Sequence, residues 1–129
     1  MEKGKFVTAI NCMDGRVQLP VIEYLKSEFG ADYVDMITEP GPDKLLGDSV
    51  TNQFEVEQIK RKAEISVEKH GSRVVAITAH YDCAGNPVGK DEHMMHLRSA
   101  MNVVKSCDFG VEIVLLWGDE KWQVRKISV

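Results

Sequence analysis

Long apolar runs are missing from this 129-residue chain. No stretch approaches the ~18 consecutive apolar residues that a membrane-spanning helix needs, which argues against a membrane protein. The opening Met1-Glu2-Lys3-Gly4-Lys5 leads into the first strand-like segment without an apolar leader, so a cytoplasmic protein is expected. An excess of positive charge is missing too. Sixteen Lys and Arg stand against 20 Asp and Glu, a formal net charge of −4, and nucleic acid is not an expected partner because binding phosphates calls for a basic patch. Cysteine is scarce and odd in number: Cys12, Cys83 and Cys107. That count argues against a disulfide framework, and in a reducing compartment cysteines are more often metal ligands or catalytic groups. Internal repeats, low-complexity segments and linkers are also absent, so residues 1–129 read as a single domain. A chain of this size buries roughly two-thirds of its unfolded surface and needs neither disulfides nor metal merely to fold.

What is present is an alternation of two apolar patterns. Phe6 to Ile10 is a short apolar run and reads as a buried strand. Leu19 to Phe29 carries Val21, Ile22, Leu25 and Phe29 at helical spacing, and Gly30 is a helix stop. Tyr33 to Ile37 reads as the second strand, and Glu39-Pro40-Gly41-Pro42-Asp43 breaks the chain. Asp48 or Ser49 is expected to cap a long helix to about His70, with Val50, Phe54, Ile59, Ala63 and Val67 toward the core. Arg73 to Ala79 is the third strand. A loop rich in Gly, Asn and Pro runs from His80 to Lys90, and a helix follows from about Asp91 to Ser106. Val111 to Trp117 and Trp122 to Ile127 are the last two strands. The order βαβαβαββ implies an α/β three-layer sandwich. Its sheet of four or five strands is mainly parallel, in the order about 2-1-3-4, with the last strand antiparallel at the edge.

In open sheets of this kind ligands sit at the carboxyl ends of the strands, where the strand order reverses. Cys12 follows the first strand, and His80 and Cys83 follow the third, so three potential metal ligands converge on the expected crevice. Two thiolates and an imidazole suit zinc, and three protein ligands leave a fourth position for water or substrate. In Cys12-Met13-Asp14-Gly15-Arg16 a carboxylate and a guanidinium stand close to the first thiolate, and Arg's planar fork can grip Asp14 through two hydrogen bonds.

Cys12-x-Asp14-x-Arg16 followed by His80-x-x-Cys83 resembles the paired signature of the β-carbonic anhydrases, and the inferred βα order is similar to that family's core. The resemblance implies that Cys12, His80 and Cys83 ligate Zn2+, that Asp14 accepts a hydrogen bond from the zinc-bound water, and that Arg16 holds Asp14. The implied reaction is the reversible hydration of carbon dioxide to bicarbonate by a carbonic anhydrase-like zinc lyase, and the implied assembly is a homodimer or higher homo-oligomer. Two thiolates neutralise the ion's two positive charges, so its water is harder to ionise than one on three neutral histidines, and activity is expected to rise in alkaline conditions. The family's Arg-Asn-x-x-Asn-like stretch after the second strand is replaced by Thr38-Glu39-Pro40-Gly41-Pro42-Asp43, and Ala84 precedes Gly85 after the last ligand.

Three other readings stand beside this one. The same zinc site could serve a hydrolase of carbonyl sulfide or carbon disulfide. Asp14 could close the site as a fourth ligand in a non-catalytic zinc-binding domain. Cys12 could be a metal-free nucleophile at a strand–helix junction, which leaves His80 and Cys83 unexplained. Around the site, Asn86 and Lys90 are expected to shape and solvate a turn rather than bind an anion. His93 and His96 are expected on an exposed helix face rather than as a proton-transfer pair. Met94, Met95 and Met101 are expected to fill core gaps, and Cys107 to be a small buried residue.

Overall fold

Residues 4–129 are described by a computed structural model. Strand β1 (Phe6–Cys12) is followed by a short 3₁₀ turn at Gly15–Val17 and helix α1 (Gln18–Phe29). Then come β2 (Tyr33–Glu39), α2 (Pro42–Gly47), α3 (Gln53–His70) and β3 (Val74–His80). The chain ends with α4 (Lys90–Ser106), β4 (Glu112–Gly118) and β5 (Val124–Ile127). The sheet order is β2-β1-β3-β4-β5, parallel except for the antiparallel β4–β5 pair at the edge. Both the expected order and the antiparallel last strand are found.

The sheet is covered on both faces, which is why its central strands read as unbroken apolar runs rather than alternating ones. Every residue of β3 is buried. Alternate residues of each strand serve opposite layers. Val7 and Ala9 face α1, where Val21 and Leu25 are fully buried. Ile10 faces the layer of α2, α3 and α4, against Leu46, Ile59 and Leu97.

Two expectations about the second crossover fail. The Glu39-to-Asp43 break does not remain a loop. Pro42 takes the first position of α2, where its missing N–H costs nothing, and Gly41 caps that helix in the left-handed region at φ 59°. The long helix therefore starts at Gln53, not at Asp48 or Ser49, and its N-cap Asn52 makes no side-chain capping bond. Val50 and Phe54 consequently leave the core and stand 80% and 73% exposed. Met95 is also exposed rather than gap-filling, whereas Met94 and Met101 pack against the core. Cys107 is only partly buried.

β1 pairs with β2 on one side and β3 on the other, so the chain reverses direction across the sheet at the β1–β3 boundary. Thr8 lies beside Val75 and Ile10 beside Ile77. That register brings the carboxyl ends of β1 and β3, with Cys12 and His80 as their last residues, to the same edge of the sheet.

Candidate metal centre

Cys12, His80 and Cys83 are all buried and form one cluster, their ligand atoms within 4.8 Å of one another. The two strands deliver Cys12 and His80, and a tight turn delivers Cys83. That turn passes through Asp82 with φ 56°, a left-handed conformation that Asp tolerates better than most side chains. The Tyr81 N–H, bonded to the Gly118 carbonyl at 2.8 Å, anchors the turn to the end of β4.

The sulfurs of Cys12 and Cys83 are 3.8 Å apart and both thiols are free. A disulfide would hold them at about 2.05 Å. Two thiolates bound to one tetrahedral zinc at about 2.3 Å stand roughly 3.8 Å from each other, so the spacing fits a shared ion. His80 Nδ1–H donates to the Tyr81 carbonyl at 2.7 Å, which fixes the ring and leaves Nε2 as its free lone pair. Nε2 is buried and has no hydrogen-bond partner. A buried ring nitrogen without a partner, beside two thiols, suits a metal ligand.

The electrostatics agree with that fit. The Cys12 thiol is held far below its ordinary range by the Cys83 S–H, with further help from His80 and from the backbone N–H groups of Gly41 and Asp14. The Cys83 thiol is pushed up by the adjacent Cys12 sulfur and by burial, against the N–H groups of Asn86 and Gly85. Burial pulls the His80 pKa down, but its contacts with Cys12 and the Tyr81 carbonyl outweigh this and raise it. A Cys12 thiol held low by its neighbours, and a His80 pKa raised by the adjacent sulfur, mark a centre that stabilises positive charge. A divalent ion supplies that charge.

Asp14 and Arg16 form the pair anticipated from their spacing. Arg16 Nε and Nη2 donate to the two Asp14 carboxylate oxygens at 3.0 and 2.7 Å, and the Arg16 N–H adds a third bond at 2.9 Å. These bonds hold the Asp14 carboxyl at about 2, below its usual 3.8, so it is ionised. With both oxygens engaged, Asp14 stands outside the three-residue cluster. Arg16 is itself fixed by the Asp82 carboxylate at 3.2 Å and carbonyl at 3.1 Å, and it lies 4.5 Å over the Trp122 ring. Asp82 thus braces Arg16 from the turn between His80 and Cys83. Trp122 carried no signal in the sequence.

Two clefts adjoin the cluster. A small one of about 190 Å³ is lined by Cys12, Met13, Asp14, Pro40, Ala84 and Gly85. A larger one of about 600 Å³ runs past Cys83 between Arg16, Tyr81, Lys90 and Trp117. Lys90 lines that larger cleft, 5.7 Å from the Trp117 ring, and is not brought to the ligand atoms. Asn86 is wholly buried rather than solvated, because its side chain is hydrogen-bonded inside the fold. His93, expected on an exposed face, is 1% exposed because it pairs with buried Asp43, while His96 is partly buried. Sequence spacing could not reveal this cluster, since its acidic member comes from α2, the helix hidden in the Pro-Gly-Pro break.

The fold matches a solved structure described as that of the β-carbonic anhydrase CafA of the fungal pathogen Aspergillus fumigatus. The match has a TM-score of 0.55 at 13% identity and covers 97% of this chain and 76% of that one. At that identity the likeness establishes the architecture alone. No curated protein matches the chain. The model of the family described as "Putative carbonic anhydrase" matches residues 2–128, and with the β-carbonic anhydrase fold this shows that the chain belongs to that family as a divergent member.

Proposed function

We propose that the chain is a zinc-dependent carbonate dehydratase that interconverts carbon dioxide and bicarbonate. The observation that carries this reading is a three-ligand set with sulfurs at tetrahedral spacing and a free His80 Nε2, beside an Asp14 whose two oxygens are both held by Arg16. Cys12, His80 and Cys83 would hold the ion. Zinc, when bound, supplies Lewis acidity that makes water a nucleophile near neutral pH. The chain's own residues do the rest. Asp14, kept ionised, offers an acceptor at the mouth of the small cleft, and Arg16 with Asp82 and Trp122 keeps it from swinging onto the ion. A position left to solvent is the pattern of a catalytic site rather than a closed structural one. Ala84 and Gly85 leave the cleft wall low in side-chain bulk, which suits a linear triatomic substrate.

A homodimer or higher assembly is part of the proposal. Met13 and Tyr81, neighbours of two ligands, are 62% and 52% exposed, and such apolar rims favour a covering partner. A cytoplasmic setting suits two thiols that must stay reduced. No helix among the described residues is long and apolar enough to cross a membrane.

Zinc-loaded protein should hydrate carbon dioxide faster than buffer in stopped-flow indicator assays, increasingly so toward alkaline pH. Asp14→Asn should lose turnover and keep one zinc per chain. Turnover confined to carbonyl sulfide or carbon disulfide would redirect the substrate assignment. Loss of zinc from Asp14→Asn would make Asp14 a ligand and the centre structural.

A further inference from the structure

Beneath the metal centre lies a second buried polar cluster with no part in the chemistry above. Asp43 is 1%, Asn86 0% and His93 1% exposed. Asn86 Nδ2 lies 3.0 Å from Asp43 Oδ2 and 2.9 Å from His96 Nδ1, and His93 Nδ1 lies 2.7 Å from the same carboxylate oxygen. The hydrogen-bond roles follow. A carboxylate next to the Asn86 amide requires its nitrogen, not its oxygen, on that side. The two amide hydrogens then go to Asp43 and His96, so His96 Nδ1 accepts and His93 Nδ1–H donates. Asp43, Asn86 and His93 are closed off by burial, and His96, 28% exposed, forms the outer edge of the cluster. Desolvating three polar side chains at one point, with a fourth half-covered beside them, carries a cost, so their convergence calls for a structural return.

That return is visible in what the cluster joins. Asp43 sits two residues after Gly41, and Asn86 one residue after Gly85. The two glycines touch so closely that a Cβ on Gly85 would lie 2.5 Å from the Pro40 carbonyl carbon, and one on Gly41 would lie 2.8 Å from the Gly85 carbonyl carbon. Pro40, Ala84 and Gly85 line the same small cleft as Cys12, and the N–H groups of Gly41 (on Cys12) and of Gly85 and Asn86 (on Cys83) act to lower the two thiols. From the other side, Gly47 of α2 packs against the His96 backbone on α4, where a Cβ would meet its carbonyl oxygen at 3.1 Å.

We propose that Asp43, Asn86, His93 and His96 form a latch that clamps the Gly41 and Gly85–Asn86 backbones together, aims their N–H groups at the two thiolates and so sets the affinity of the centre for zinc. These are positioning residues, whose side chains act through the backbone on thiols that those side chains do not touch. The proposal rests on the reading of Cys12, His80 and Cys83 as metal ligands.

The test is Asn86→Asp, which keeps the side chain's shape but places oxygen against the Asp43 carboxylate. Zinc affinity is measured by competition with a chromophoric chelator, and ligand geometry by the absorption bands of the cobalt-loaded protein. Partners outside the ligand shell typically change metal affinity by about 10- to 100-fold, and Asn86→Asp should weaken zinc within that range and shift the cobalt bands. The exchange Asp43→Asn with Asn86→Asp restores a donor–acceptor pair and should recover at least part of the loss. Ser66→Ala breaks a buried hydroxyl pair remote from the centre (Thr8 Oγ1 to Ser66 Oγ, 2.6 Å) and should lower thermal stability without moving zinc affinity. Should Asn86→Asp fail to fold, His96→Leu, at a partly exposed position, is read by the same two measurements with the same direction expected. Zinc affinity and cobalt bands equal to wild type in the folded variant would overturn the latch. Failure of the wild type to bind zinc would instead remove the metal centre and the latch with it.

Discussion

Gly85→Ala isolates how much of the centre depends on the close approach of two loops. The glycine does not have a positive φ, so alanine is strained there by space alone. Its Cβ would lie 2.5 Å from the Pro40 carbonyl carbon, 2.7 Å from the Gly41 nitrogen and 2.8 Å from the Pro40 Cβ, and two of those atoms belong to backbone. Ordinary contact begins near 3.4 Å, so the loops must part by about 0.9 Å. Metal–ligand distances tolerate only about 0.2 Å. Overpacking of this kind costs about 1–3 kcal/mol. In the apo protein the loops relax apart and spread that cost. Binding zinc pulls Cys12 and Cys83 back together, so the strain reappears in the affinity as a rise of roughly 5- to 150-fold in Kd. Gly89→Ala is the matched control, because nothing lies within 4 Å of a Cβ there. Chelator competition measures both variants, and urea unfolding of the apo forms measures what strain remains without metal. If Gly85→Ala binds zinc as tightly as Gly89→Ala, the reasoning fails.

Zinc affinity should rise with pH through the neutral range, because a metal that takes both thiolates displaces the proton the two sulfurs share, and the Cys83 thiol is pushed up; isothermal titration in two buffers of different ionisation enthalpy counts the protons released, and a count of zero contradicts the ligand set. The folded-state pKa of Asp14 is depressed to about 2 from 3.8, so its contribution to stability is complete above about pH 4 and is lost as pH falls toward 2. The stability difference between the wild type and Asp14→Asn should therefore shrink over that window in urea titrations, and a difference that grows on acidification refutes the pairing. Ile59→Ala, at a 1% exposed position, should cost about 2–5 kcal/mol, whereas Phe54→Ala, at 73% exposure, should stay within about 0.5 kcal/mol in the same unfolding assay.

That last contrast shows where the sequence could be read and where it could not. The strands were legible because burial on both faces writes them as unbroken apolar runs, and β3 from Val74 to His80 has no exposed residue to blur it. The convergence of Cys12 and His80 was legible because strand ends are fixed by those runs, which place both residues at one edge of the sheet. Phe54 and Val50 were misplaced because an apolar residue near a helix start fits a periodic pattern whether or not anything covers it. Deciding that required knowing where the helix begins, and α2 had already taken up Pro42 to Gly47.

The latch was unreadable for a different reason. His93 and His96 share a helix face, but a face is buried or exposed only by what packs on it. Here that is a one-and-a-half-turn helix whose sequence, Pro42-Asp43-Lys44-Leu45-Leu46-Gly47, looks like the tail of a loop. Asp43 and Asn86 are each ordinary turn residues when read alone. They become partners because Gly41 and Gly85 allow two backbones to meet, and two glycines far apart in the chain say nothing about each other. Local pattern therefore reveals the candidate ligands, which strand ends position, but not the clamp, which depends on contact between loops. The same asymmetry predicts where substitutions will surprise. Changes at Cys12, His80 or Cys83 act as their chemistry suggests, whereas a single methyl group at Gly85 should reach the metal through no ligand at all.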